Sequence, residues 1–141
     1  MSPSSKSQSN DLKQAGLKTT LPRLRILAIL ETADKHHFTA EDVYKTLLNA
    51  GEEIAFATVY RVLTQFENAG LVLRHNFEGG RSVFELDRGE HHDHMVCAKC
   101  GTVTEFFNAE IENLQHKMAE EHGFELQDHS LYLYGVCSAC Q

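Results

Sequence analysis

No stretch of the 141-residue chain approaches the 18 or so consecutive apolar residues of a membrane span, so a membrane-integrated protein is not expected. Residues 1–10 are polar and serine-rich with no apolar h-region, which argues against a signal peptide and predicts a disordered lead-in. No internal repeat and no further low-complexity run occurs, leaving one ordinary domain or two small ones, and 42% hydrophobic residues suffice for a core. The expectation is a soluble, cytoplasmic protein with no membrane partner. In that reducing compartment the four cysteines read as metal ligands before disulfides.

Basic charge is scarce where acid is plentiful. Residues 87–141 carry three Lys/Arg against ten Asp/Glu, whereas residues 1–86 carry ten of each, so the net charge of −7 belongs wholly to the second part. That part also holds all four cysteines and six of the nine histidines. The asymmetry predicts two regions with different partners.

The first region punctuates itself as three helices and a hairpin. Leu17, Leu21, Leu24, Leu27 and Leu30 recur three or four apart, with Thr20 and Pro22 where an N-cap and a first-turn proline belong. Thr39-Ala40-Glu41-Asp42 has the pattern of a capping box ahead of Val43, Leu47 and Leu48. A third helix is expected over 57–69, closed by Gly70. Segments 71–77 and 82–86 flank Glu78-Gly79-Gly80-Arg81, a hairpin signal. Together these predict a winged helix-turn-helix. In the second region strands are expected near 95–97, 103–106 and 127–136, with a helix from the Asn108 cap through His122. The fold class is α+β: a winged helix-turn-helix domain over 1–86 (1–10 being the lead-in), then a small α/β domain with a three-stranded sheet over 90–141.

Three constellations carry chemistry. Cys97-x-x-Cys100 and Cys137-x-x-Cys140 offer four thiolates to a closed, structural tetrahedral Zn²⁺ site, although 36 intervening residues must fold to join them. His91-His92-Asp93-His94, if extended, points His92 and His94 one way and His91 and Asp93 the other, so one tract can serve two sites. Its completing ligands are open among Glu85, Glu105, Glu112, His129, His36 and His37. Such N/O sets suit Fe²⁺, Mn²⁺, Co²⁺, Ni²⁺ or Zn²⁺. On the third helix, Val59, Val62, Leu63 and Phe66 mark a buried stripe, leaving Ala57, Tyr60, Arg61 and Thr64 for a major groove. Lys13, Lys18, Arg23 and Arg25 form a basic cluster near the first helix. A zinc hydrolase would use a similar histidine tract, but it leaves the helix-turn-helix unexplained. A metal-storage or zinc-buffer protein is a third class, distinguished by absence of sequence-specific DNA binding. The expectation is a protein that is not an enzyme.

All three constellations resemble the ferric uptake regulator family of bacterial metalloregulators. The resemblance is carried by Gly16-Leu17-Lys18-Thr19-Thr20-Leu21-Pro22-Arg23, His36-His37, Gly51-Glu52-Glu53-Ile54, Ala57-Thr58-Val59-Tyr60-Arg61-Val62-Leu63 and Arg74-His75-Asn76-Phe77-Glu78-Gly79-Gly80. It continues through His91-His92-Asp93-His94 with Cys97 and Cys100, and His129-Ser130-Leu131-Tyr132-Leu133-Tyr134-Gly135. It implies an iron-responsive repressor whose second domain dimerises, as a homodimer or a tetramer, and which binds AT-rich palindromic operators of iron-uptake genes. It assigns His37, Glu85, His92, His94 and Glu105 to a regulatory Fe²⁺ site that Mn²⁺, Co²⁺ or Zn²⁺ can occupy instead. It assigns His91, Asp93, Glu112 and His129 to an additional metal site. It also implies double-stranded DNA contacts from Ala57, Thr58, Tyr60 and Arg61 in the major groove and Lys18 in the minor groove, with Arg23 nearby. A zinc- or manganese-responsive regulator, or a peroxide sensor, is the alternative within the family. Glutamate at both 85 and 105 favours the iron sensor over the peroxide sensor.

Overall fold

Local capping chemistry starts two helices of the first unit, those after Thr20 and after Thr39. The computed structural model describes the backbone of residues 5–141 and the side chains of residues 8–141, and the chain divides into two compact units, Met1–Arg88 and Gly89–Gln141. In the first, α1 (Ser5–Gln14) precedes α2 (Leu21–Thr32), whose N-cap Thr20 accepts a hydrogen bond from the Arg23 N–H. Pro22 lies in the first turn, where its missing N–H costs nothing. A reciprocal capping box opens α3 (Ala40–Asn49): Thr39 Oγ1 accepts from the Asp42 N–H and Asp42 Oδ2 accepts from the Thr39 N–H, both at 3.0 Å. The fourth helix, α4 (Phe56–Asn68), has no side-chain cap at Ala55 and ends before Gly70, whose φ of 79° few other residues would tolerate. Strands β1 (Val72–Phe77) and β2 (Arg81–Leu86) pair antiparallel from Val72↔Leu86 to Phe77↔Arg81. Their turn uses Gly79 and Gly80, both at positive φ.

The core of this unit joins Ile26, Leu27 and Leu30 of α2, Val43 and Leu47 of α3, and Val59, Leu63 and Phe66 of α4 to Phe84 of the hairpin. A backbone bridge between Phe38 and Phe84, with N–H···O distances of 2.9 and 2.7 Å, ties the segment before α3 to the wing. Two leucines of the expected helical runs face outward, Leu21 and Leu48, each 56% exposed, because Ile26 and Val43 carry the buried faces round instead. The expected disordered lead-in is corrected for residues 5–10, and residues 1–4 lie outside the described part. Residues 5–10 belong to α1, whose Leu12 is fully buried in the core and whose Gln8 is 4% exposed. A helix with so little apolar character is held by docking, not by propensity.

In the second unit, β3 (Asp93–Cys97) is the central strand of a three-stranded sheet. It pairs antiparallel with β4 (Val103–Phe106), from Asp93↔Phe106 to Val96↔Val103. It pairs parallel with β5 (Tyr132–Gly135), from His94↔Tyr132 to Cys97↔Gly135. Between β4 and β5 runs α5 (Ala109–Glu121), capped by Asn108 Oδ1 accepting the Glu110 and Ile111 N–H groups. A 3₁₀ turn, Ser138–Cys140, follows β5. The expected strand over 127–136 shrinks to four residues. β3 offers pairing partners only from His94 onward, and Asp128 Oδ1 accepts the His129 N–H in the preceding loop. No residue of α5 is buried, and Leu114 and Met118 on it are 59% and 50% exposed. Among the described residues no helix is long and apolar enough to cross a membrane.

Candidate metal centres and nucleic-acid interface

The turn after β3 and the 3₁₀ turn at the C-terminus bring the cysteines together. Sulfur donors of Cys97, Cys100, Cys137 and Cys140 all lie within 4.8 Å of one another, all four thiols are free, and Cys100 Sγ is 3.7 Å from Cys137 Sγ. Four bonds of about 2.3 Å at tetrahedral angles separate sulfurs by roughly 3.8 Å, so the donor set fits zinc. Cys97 Sγ accepts the Cys100 and Cys137 N–H groups at 3.4 Å, and these donors hold its thiol down at about 5. The Thr102 hydroxyl, 3.0 Å away, lowers Cys100 as well. Cys140 is pushed up to about 12, chiefly by Cys137 and Cys100 beside it. Four thiols this close cannot all ionise without a cation to neutralise them.

A second donor group assembles from the start of β3, from α5 and from the loop before β5. His91, Asp93, Glu112 and His129 present ligand atoms within 4.8 Å of one another. His91 Nε2 lies 3.0 Å from Asp93 Oδ1 and 3.2 Å from Glu112 Oε1, and His129 Nε2 lies 3.1 Å from Glu112 Oε2. Asp93 is fully buried, and its Oδ2 has no hydrogen-bond partner. A buried carboxylate oxygen left in that state is costly, and a divalent cation would satisfy it. Burial alone would raise the Glu112 carboxyl, but the His129 ring, with smaller help from Asp93 and His91, brings it below the usual range.

The residues of the expected regulatory site fall in both units, and each half has its own geometry. In the first, His37 and Glu85 flank the Phe38–Phe84 bridge, which fixes their backbones side by side. His37 Nε2 lies 3.2 Å from Glu85 Oε2, and Glu85 is 5% exposed on β2. Its other oxygen meets His75 Nε2 of β1. Sequence reasoning passed over His75, although its place in an alternating strand two residues before buried Phe77 pointed it inward. In the second unit His94 stands opposite Glu105 across β3 and β4 and is 2% exposed. His92 Nε2 is 3.7 Å from Glu105 Oε2. His36 is exposed, and no donor group among the described residues includes it.

The nucleic-acid candidates lie on α4 and around the start of α2. Ala57, Tyr60 and Arg61 are exposed on α4, and Thr58 is half-buried. A groove of about 470 Å³ separates Phe56 and Tyr60 from the wing tip at Gly79, Gly80 and Arg81. Lys18 is exposed. Arg23 is more constrained than its charge implied: it donates to Gln65 Oε1 at 3.0 and 3.3 Å and to the Lys18 carbonyl at 2.8 Å. It therefore clamps the Lys18 segment to α4. Arg25 pairs with Glu52 at 3.0 Å.

The profile of the Ferric uptake regulator family matches residues 14–134. The ferric uptake regulation protein of Neisseria meningitidis serogroup A is 62% identical over 130 residues, covering 92% of this chain and 90% of that protein. The Vibrio cholerae ferric uptake regulator structure superposes with a TM-score of 0.87 at 55% identity, covering 92% of this chain and 98% of that one. The Pseudomonas aeruginosa regulator, solved with manganese, gives 0.79 at 56% identity, covering 93% and 98%. Members of the family are DNA-binding dimers and transcription factors, not enzymes. A winged helix, a four-cysteine centre and histidine–carboxylate donor groups thus occur together in a chain that matches these proteins over nearly its whole length, and the chain belongs to the ferric uptake regulator family of metal-dependent transcriptional repressors.

Proposed function

We propose that this chain is an iron-responsive repressor that works in the cytoplasm as a homodimer on AT-rich palindromic operators of iron-uptake genes. The observation that carries this reading is the division of donors. The winged-helix unit offers His37 and Glu85, and the other unit offers His92, His94 and Glu105. Neither set alone suffices for a six-coordinate Fe²⁺, whereas five N/O donors together suit it, with Mn²⁺, Co²⁺ or Zn²⁺ as substitutes. Bound there, the cation supplies an electrostatic cross-link between imidazoles and carboxylates. His37 and Glu85 transmit that restraint because they flank the Phe38–Phe84 bridge, and Phe84 packs in the core beside Val59 and Phe66 of α4. Zn²⁺ held by Cys97, Cys100, Cys137 and Cys140 staples the C-terminus. A second divalent site at His91, Asp93, Glu112 and His129 neutralises the buried Asp93.

On DNA, α4 enters the major groove with Ala57, Thr58, Tyr60 and Arg61 toward base edges, while Lys18 reaches the minor groove and Arg23 holds it there. Two copies pair through the second unit, whose exposed Phe107, Leu114, Met118, Phe124 and Leu133 are more apolar surface than a small monomer usually leaves in water. The decisive test is operator binding by anaerobic protein at buffered free Fe²⁺, Mn²⁺ and Zn²⁺. Fe²⁺ should raise wild-type affinity by a factor of about 5–150. His92→Ala and His94→Ala should lose most of that stimulation while keeping the cysteine-bound zinc. Undiminished stimulation in both variants would overturn the reading.

A further inference from the structure

Arg74, on the first strand of the wing, turns its guanidinium toward α4 and not toward solvent. Its side chain is 17% exposed. Nη1 donates to Tyr60 Oη at 3.3 Å, and Nη2 donates to Thr64 Oγ1 at 3.0 Å. Nε lies 3.3 Å from Glu67 Oε1. The guanidinium carbon sits 5.4 Å from the Tyr60 ring centroid and 4.8 Å from that of Phe84. Tyr60, Thr64 and Glu67 fall at i, i+4 and i+7, so one wing residue grips a full stripe of the recognition helix. Thr64 Oγ1 in turn donates to the Tyr60 carbonyl at 3.0 Å, which leaves its lone pairs for Arg74.

The polarity of these bonds matters at Tyr60, which is 44% exposed. A guanidinium can only donate, so the Tyr60 hydroxyl accepts from Arg74 and its own proton is directed elsewhere. The Glu67 carboxylate, which would repel phosphates at the same face, is neutralised by the same group. We propose that Arg74 is a positioning residue that fixes the Tyr60 hydroxyl as a hydrogen-bond donor to an acceptor on DNA. It thereby contributes to sequence discrimination without touching DNA itself. The inference rests on the reading that α4 enters the groove.

The test uses the intact metal-loaded dimer and a duplex selected from random-sequence DNA by the wild type, with a non-selected duplex of equal length as control. Arg74→Lys keeps the charge but loses the planar fork. It should weaken binding to the selected duplex by about tenfold, leave the control duplex within about twofold, and leave the salt slope unchanged. In a Tyr60→Phe background the same substitution should cost less than about twofold, because the bond it acts through is already gone. The ring resonances lost in the Tyr60→Phe spectrum should shift in Arg74→Lys while those of Tyr44, Tyr132 and Tyr134 stay in place, a readout that needs no DNA. Equal weakening on both duplexes with a shallower salt slope would make Arg74 a phosphate contact and overturn the proposal. So would an Arg74→Lys penalty that persists undiminished beside Tyr60→Phe, or a Tyr60→Phe variant that binds as well as wild type. If the wild type itself selects no sequence, the DNA-binding reading falls first and the positioning role falls with it.

Discussion

Asp93 places the sharpest electrostatic demand on the second unit. A fully buried carboxylate with one oxygen unpartnered and two imidazoles nearby is unfavourable in water-excluded surroundings and favourable around a cation. Divalent metal should therefore raise the thermal midpoint of the protein. At a hundredfold excess over its dissociation constant the stabilisation is about 2.7 kcal/mol. Asp93→Asn should remove most of that increment while destabilising the metal-free protein little. Calorimetry with and without chelator, at fixed zinc content, measures both; an intact increment in the variant would place the second ion elsewhere. Cys97 shows the complementary case, a thiolate prepared by the two N–H donors of Cys100 and Cys137 before any metal binds.

At the scale of the element, α3 is the helix whose start is most fully explained by side-chain chemistry, and the consequence depends on pH. Burial tends to raise the Asp42 carboxyl, but the Thr39 N–H and the Lys35 ammonium outweigh it and hold it below 3.8. Its contribution is thus complete above 3.8, the value in the unfolded chain, and is lost as pH falls through the lower folded value. Asp42→Ala should cost about 1 kcal/mol near neutrality. The gap between wild type and variant in urea unfolding should close in acid, below pH 3.8. A gap independent of pH would show that packing, and not the cap, sets the loss. By contrast α1 has no such local signature. Gln8 and Leu12 bury against the rest of the unit, and the helix exists because they do.

For the whole molecule, the second unit has few buried apolar side chains and an α5 that buries none of its own. Pairing of two copies should complete that core. Leu114→Asp places a charge in the apolar face and should shift sedimentation from dimer toward monomer at micromolar concentration. It should also weaken binding to a two-half-site duplex far more than to a single half-site. Persistence of the dimer would assign the face to another role. Much of this organisation was legible in the residue order because its signals are local. The Thr39–Asp42 box, the Thr20–Pro22 start, Gly70 after α4 and the glycine pair of the wing act within a few residues of themselves. The two CxxC turns and the His91–His94 tract marked, through donor type and spacing, residues that gather into groups able to hold a metal. Other features had no local trace. The burial that makes a helix of residues 5–14, the short length of β5, the inward role of His75 and the turn of Arg74 toward Tyr60 all depend on groups far away in the chain. Sequence by itself determined which segments could be helix, turn or ligand, since those preferences reside in single side chains and their near neighbours. Tertiary structure alone decided which donor atoms come together and which charges face inward, because only packing chooses among distant partners of equal chemistry.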